Sequence, residues 1–336
     1  MRSLKTTYMG VEIDNPIVIG ASTLVTDLDA IKKAEEYGAA AIVYKSLFEE
    51  QIQLESLQLD ERLNEFNDIH AEMTTIHPHI DHAGPDEHLY RIRKAKESIS
   101  IPLFASLNAV DKLTWIKYAK LLSETGVDGI ELNFYNVPWN FNKSAKAIED
   151  EQLQIVKEIK DSISIPVSVK LSSDYTNILN FIKKLDKAGV DAFVLFNSFF
   201  QPDIDIMSEK HIKSTNISNE GDYKKSLRFA GLLYGNIGAD ICSNHGIFNG
   251  EDAIKMLLCG ASSVQVVSTL YKNGIDHIKD IKYEIEDWMN VKNYNSIDEF
   301  RGKLSKIKLG SNPFVYKRAQ YVDLLINSEE IFAGTL

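Results

Sequence analysis

The chain of 336 residues carries 37 Lys and Arg against 48 Asp and Glu, a formal charge of −11 at pH 7. That balance argues against a nucleic-acid partner, because no basic stripe is available to neutralise phosphates, and no uninterrupted apolar stretch is long enough to cross a membrane. With 44% hydrophobic residues a large core is available, and the length exceeds the roughly 250 residues of a plain eightfold barrel, so a single domain with insertions is expected over residues 1–336. Met1 to Gly10 lacks the apolar centre of a signal peptide. The two cysteines, Cys242 and Cys259, fall where a strand and a helix face the interior. A reducing cytoplasm is the expected setting, and no disulfide is expected.

Short apolar runs, each ending in a polar residue, recur along the chain. Ile17–Gly20 leads into Ala21-Ser22, Ala40–Tyr44 into Lys45-Ser46, Pro102–Leu107 into Asn108, and Gly129–Leu132 into Asn133. Val167–Val169 leads into Lys170-Leu171-Ser172, Ala192–Phe196 into Asn197-Ser198, Ala239–Cys242 into Ser243-Asn244, and Val264–Val267 into Ser268. Runs of this length, apolar on both faces, are the pattern of parallel strands. Polar groups always at the downstream end are what a (β/α)₈ TIM barrel requires, since its chemistry sits at the C-terminal rim. Internal repeats agree. Ser98-Ile-Ser-Ile-Pro102 recurs as Ser162-Ile-Ser-Ile-Pro166, and Gly126-Val-Asp128 as Gly189-Val-Asp191, with relatives at Gly38 and Gly260. Each Gly closes a helix, and each Ile-Pro opens a strand where a missing N–H is tolerated.

Two segments exceed the barrel period, about 47–88 and 199–222. Both follow strands, so both emerge at the rim as lid-like insertions. After Trp288 an extension over about 289–336 reads as terminal helices, one capped by Ser296 and Asp298, another opened by Asn312-Pro313. His70, His77, His79, His82 and His88 cluster in the first insertion. A polar lid accounts for them, and no metal is expected. Phe134, Tyr135, Trp139 and Phe141 follow the fourth barrel strand as walls of a pocket or packing beneath the lid.

Lys45 and Lys170 stand at strand ends, as fixed positive charges or, if desolvated, as Schiff-base nucleophiles. Asn108, Asn133 and Asn197 add paired donors and acceptors, which suit a flat heterocycle with alternating C=O and N–H edges. On these motifs, from Asn15 to about Gly274, the sequence resembles the dihydroorotate dehydrogenases, above all the soluble FMN-containing type and a dihydroorotate dehydrogenase-like branch. The carrying residues are Asn15-Pro-Ile-Val-Ile-Gly-Ala-Ser22, Lys45-Ser46, Leu132-Asn133, Val169-Lys170-Leu171, Asn197-Ser198, and Gly250–Ala261 through Val264-Gln-Val266.

The resemblance implies one FMN at the rim. Ala21, Ser22, Lys45, Ser46, Asn108, Asn133 and Lys170 would face the flavin, with Ser243, His245, Gly246 and Ser268 towards its phosphate end. Lys45, Asn136, Asn197 and Ser198 would hold a small substrate, and Lys45, Asn133 and Tyr135 form the catalytic set. A soluble electron acceptor and a homodimer are implied as well. The departures are specific. Where the family places a Cys or Ser base after Leu-Asn, this chain has Phe134-Tyr135-Asn136-Val137-Pro138. The family's substrate loop has no counterpart in the first insertion, and His245-Gly246 stands where it has Gly-Gly. Hydride transfer between flavin and a small flat or carbonyl-conjugated molecule is therefore expected, with dihydroorotate a poor substrate. A flavin-free Schiff-base lyase and a non-catalytic nucleotide-binding barrel are the alternatives.

Overall fold

The computed structural model describes residues 2–53, 85–135, 137, 139–197, 201–213, 217–310, 314–317 and 319–326. Eight parallel strands close into a barrel: β3 (Ile17–Ile19), β4 (Ala41–Phe48), β5 (Leu103–Asn108), β6 (Gly129–Asn133), β7 (Val167–Leu171), β8 (Ala192–Leu195), β11 (Asp240–Asn244) and β12 (Ser263–Val266). These are the eight apolar runs of the sequence, and β12 pairs back onto β3. The helices between them are α1 (Leu28–Glu36), α2 (Pro85–Ser98), α3 (Lys112–Ser123), α4 (Ala145–Ser162), α5 (Ile178–Lys187), α6 (Lys224–Leu233) and α7 (Gly250–Cys259). The short α8 (Ser268–Asn273) follows β12, and α9 (Ile278–Lys292) packs on α7.

The sequence repeats have a physical purpose. The Asp128 carboxylate accepts from the Leu103 N–H at 2.7 Å and pairs with Lys96 at 2.5 Å. Asp191 repeats the arrangement with the Val167 N–H at 2.7 Å and Lys160 at 2.6 Å. Each Gly-Val-Asp turn thus ties the start of one strand to the residue after the Ile-Pro of its neighbour. The glycines ahead of these aspartates, Gly126 and Gly189, both have positive φ, the left-handed conformation that glycine adopts at least cost.

An N-terminal hairpin, β1 (Thr6–Tyr8) with β2 (Val11–Ile13), was not legible in the sequence. It delivers Tyr8 and Met9 into an inner cluster with Val18, Val43, Phe104, Val194 and Cys242. Tyr8 meets Phe104 edge-on at 5.0 Å, and burial of each such ring contributes about 2–3 kcal/mol. The second insertion holds an exposed hairpin, β9 (Pro202–Asp205) with β10 (Lys210–Lys213). Most of the first insertion lies outside the described residues.

Extra C-terminal helices are present as expected, but the one read at Ser296 and Asp298 is not among them. Ser296 stands at the N-cap of a single 3-10 turn, Ile297–Glu299, with no side-chain cap bond. Fully buried Phe300 stops a helix there, packed against Trp288 at 5.0 Å and Tyr294 at 5.2 Å. Beyond it the backbone bonds to the barrel's own helices, Leu304 N–H to the Leu258 carbonyl and Lys306 N–H to that of Gly231. A regular helix would consume those groups itself. A later helix, α10 (Ala319–Ile326), does form, while Asn312 and Pro313 lie outside the described residues. Cys242 and Cys259 are both buried and free. Among the described residues no helix is long and apolar enough to cross a membrane.

Candidate active site

Sheet register decides which strand-end groups face the barrel axis. Asn133 pairs with Lys170, and Lys170 with Val194 of the inner cluster, so Asn133 and Lys170 point inward. Asn108 Nδ2 donates to the Asn133 carbonyl at 2.9 Å, and Asn197 Nδ2 donates to Asn133 Oδ1 at 2.5 Å. The three asparagines read from the sequence are therefore joined at one side of the mouth. Lys170 beside them is only 7% exposed. Its Nζ stands 4.0 Å from Glu131 Oε1, beyond hydrogen-bond reach.

At the first strand, Gly20 is fixed by space. A Cβ there would stand 2.8 Å from Val267 Cγ2, so a larger residue would force β3 away from β12. Ala21 packs at the edge of the inner cluster, and the buried Ser22 hydroxyl has no hydrogen-bond partner among the described residues.

Lys45 sits in a β-bulge. Tyr44 pairs with Ala105 and Leu47 with Leu107, so Lys45 and Ser46 together oppose Ser106. The inward place goes to Ser46, whose Oγ lies 2.7 Å from Ser106 Oγ, and Lys45 is re-aimed, as bulges near active sites do. Lys45 lines a cavity of about 30 Å³ with Tyr44, Gln51, Glu87, His88 and Arg91. His88, in the first turn of α2, stacks edge-on against Tyr44 at 5.4 Å, and its Nε2 is buried without a partner among the described residues. Burial, aided by Lys45 and Arg91, lowers its pKa to about 4, so the imidazole is neutral at pH 7.

The ends of β11 and β12 meet the second rim insertion through Ser218, a residue that the sequence did not single out. Ser218 Oγ accepts from the Gly246 N–H at 3.1 Å, and the Ser218 N–H donates to Ser268 Oγ at 3.0 Å. Lys272 Nζ donates to the Ser218 carbonyl at 3.2 Å. Each serine hydroxyl accepts here and keeps its own O–H to donate. His245 (φ 75) and Gly246 (φ 71) are consecutive left-handed residues, the conformation a glycine pair adopts without strain and one that costs a histidine. The His245 ring meets Asp222 at 3.6 Å, and both line a cavity of about 290 Å³ with Asn197, Asn244 and Lys225. Burial holds its pKa below the ordinary value against the opposing pull of Asp222.

Two expected site residues are placed elsewhere. Ser243 is in register with Leu195 and Val264 of the outer core, which turns its side chain towards the helices. In that strand Asn244, in register with Gln265, is the inward residue. Tyr135 lines a separate cavity of about 390 Å³ with Val110, Trp115, Trp139 and Ile155. The aromatic cluster is split: Phe134 is buried against Trp115 at 5.2 Å, whereas Trp139 and Phe141 are exposed. Asn136, Ser198, His70, His77, His79 and His82 lie outside the described residues. Sequence reading missed Glu131, although a carboxylate inside an apolar strand run is itself a signal. It also missed Ser218, which carried none.

A family model for dihydroorotate dehydrogenase matches residues 80–289. The catalytic subunit of dihydroorotate dehydrogenase B (NAD(+)) from Thermoplasma volcanium is 29% identical over 315 residues, covering 90% of this chain and 98% of its own length. Its counterpart from Methanocaldococcus jannaschii is 28% identical over 308 residues, with 86% and 94% covered. That of Caldicellulosiruptor saccharolyticus is 30% identical over 211 residues, with 60% and 68% covered. The chain belongs to the dihydroorotate dehydrogenase family.

Proposed function

We propose that this member of the family is an FMN-dependent oxidoreductase that moves hydride between the flavin and a small flat or carbonyl-conjugated substrate. The observation that carries the reading is Lys170: a buried ammonium at the barrel mouth, beside three linked asparagines, with its carboxylate partner 4.0 Å away. A charge desolvated to that degree is costly unless something uses it. The described residues fit FMN at both ends. The asparagines supply amide edges for the ring, and the orphaned Ser22 hydroxyl supplies a further group. Ser218, Gly246 and Ser268 gather two hydroxyl donors near the Lys272 ammonium, a set suited to a phosphate.

When bound, FMN accepts or gives the hydride. The chain's residues do the rest. Asn108, Asn133 and Asn197 orient the ring and substrate edges. Lys170 offsets the negative charge that arrives with the electrons. Asn197 flanks the substrate's place, and Lys45, Asn136 and Ser198 belong to the same proposed set. A soluble electron acceptor completes turnover, and the named relatives point to a nicotinamide one. We further assign the chain to one domain acting as a homodimer in the cytoplasm.

The described residues after Asn133 are Phe134, Tyr135 and Val137, and a phenol is a poor base near neutral pH. Loss of a positioned base typically costs about 10²–10⁴ in rate, so dihydroorotate is expected to reduce the flavin slowly or not at all. Anaerobic mixing of FMN-loaded protein with excess dihydroorotate, followed by flavin absorbance, tests this. Slow or absent bleaching with normal dithionite reduction is expected; rapid bleaching would restore dihydroorotate as the substrate and make Tyr135 the first residue to mutate.

A further inference from the structure

Glu131 is fully buried in the centre of β6, in a barrel interior where aliphatic side chains normally fill the space. Its carboxylate is surrounded by donors. Gln265 Nε2 donates to Oε2 at 2.6 Å, the Tyr8 hydroxyl to Oε2 at 3.5 Å, and Ser106 Oγ to Oε1 at 3.4 Å. Gln265 also donates to the Tyr8 oxygen at 3.2 Å, and Tyr8 lies 3.3 Å from Ser168 Oγ. Burial, then the Glu131 charge, pushes the Tyr8 phenol well up, so it stays a donor. Both carboxylate oxygens thus accept from side-chain donors, and Oε1 also faces the Lys170 Nζ at 4.0 Å. Glu131 pairs in register with Ser168, two residues before Lys170 on the same strand. The carboxylate therefore lies one layer below the Lys170 ammonium, on the side away from the mouth.

A polar network this deep does not improve a core; apolar residues of the same volume would usually serve as well. We propose that Glu131 is a positioning residue for Lys170, anchoring the ammonium from beneath and reducing the net positive charge presented to the mouth. The inference rests on the flavin reading, and it deepens it: the pair, rather than Lys170 alone, sets how readily bound flavin accepts electrons. A fixed carboxylate below a lysine tempers its field, because the two charges act on the mouth with opposite sign.

The test is a redox titration of FMN-loaded protein against reference dyes. Glu131→Gln should shift the flavin potential to more positive values, and Lys170→Met to more negative ones. The double variant should fall between them, nearer the parent. A purely structural role would not give opposite signs. Equal-direction shifts, or an unchanged potential in fully loaded Glu131→Gln, would overturn the proposal. If Glu131→Gln does not fold, Glu131→Asp withdraws the carboxylate by one methylene and should give a smaller positive shift; none would overturn it. A chain that takes up no FMN would defeat the functional reading but leave the pair to be judged on the apoprotein. There, competitive acetylation of Lys170, read by mass spectrometry, should be several-fold faster in Glu131→Gln, and equal rates would overturn the proposal.

Discussion

The two ends of the proposed cofactor site are built differently. At the ring end, Asn108, Asn133 and Lys170 are strand residues, fixed by sheet register and joined side chain to backbone or to one another. At the phosphate end, Ser218, Gly246 and Ser268 come from three separate segments and meet largely through backbone N–H groups. A strand-borne side chain can change without moving its neighbours, whereas the phosphate end depends on where the backbone runs. The ring end should therefore control chemistry, and the phosphate end retention of the cofactor.

The largest expected effect breaks the phosphate end. Gly246 has φ +71, and a Cβ there would stand 2.6 Å from the Tyr223 backbone nitrogen. Gly246→Ala should raise the FMN Kd about 100-fold, equivalent to roughly 3 kcal/mol. Asn197→Ala at the ring end should raise it by less than about 10-fold, the worth of one hydrogen bond. Fluorescence titration of FMN against both variants checks this, and equal losses would erase the division between the ends.

A smaller effect concerns Lys45, which a bulge rather than regular register positions next to His88. The folded pKa of His88 is lowered from 6.5 to about 4, so the unfolded chain takes up a proton in that window and the folded chain does not. Its contribution is complete above about pH 6.5 and is lost as pH falls towards 4, by roughly 2–3 kcal/mol. Denaturant unfolding at pH 7 and pH 4.5 should show His88→Leu losing less stability on acidification than the parent protein. Equal pH dependence would mean that His88 is not held neutral.

The same contrast explains what could be read in advance. The eight strands were legible because a parallel strand buried on both faces is a continuous apolar run, and the asparagines because each ends such a run. Their inward direction was not read in advance; it comes from sheet register, which follows period-two alternation at Asn133 and Lys170. That rule failed at Lys45, because a bulge leaves no mark in composition and hands the inward place to Ser46. It also exposes the misreading of Ser243, where counting from Cys242 would have turned the side chain outward. Ser218 was illegible for another reason: its role depends on a loop folding back over two strand ends far away in sequence. The N-terminal hairpin was too short to show alternation, yet Tyr8 and Met9 close the barrel floor.

The central claim, that Lys170 and the asparagines face a flavin whose phosphate is held by Ser218, Gly246 and Ser268, is tested most directly by the cofactor content of the purified protein. Protein isolated without added cofactor should be yellow, and denaturation should release close to one equivalent of FMN, not FAD, by chromatography. A colourless protein that cannot be reconstituted with FMN would contradict the account.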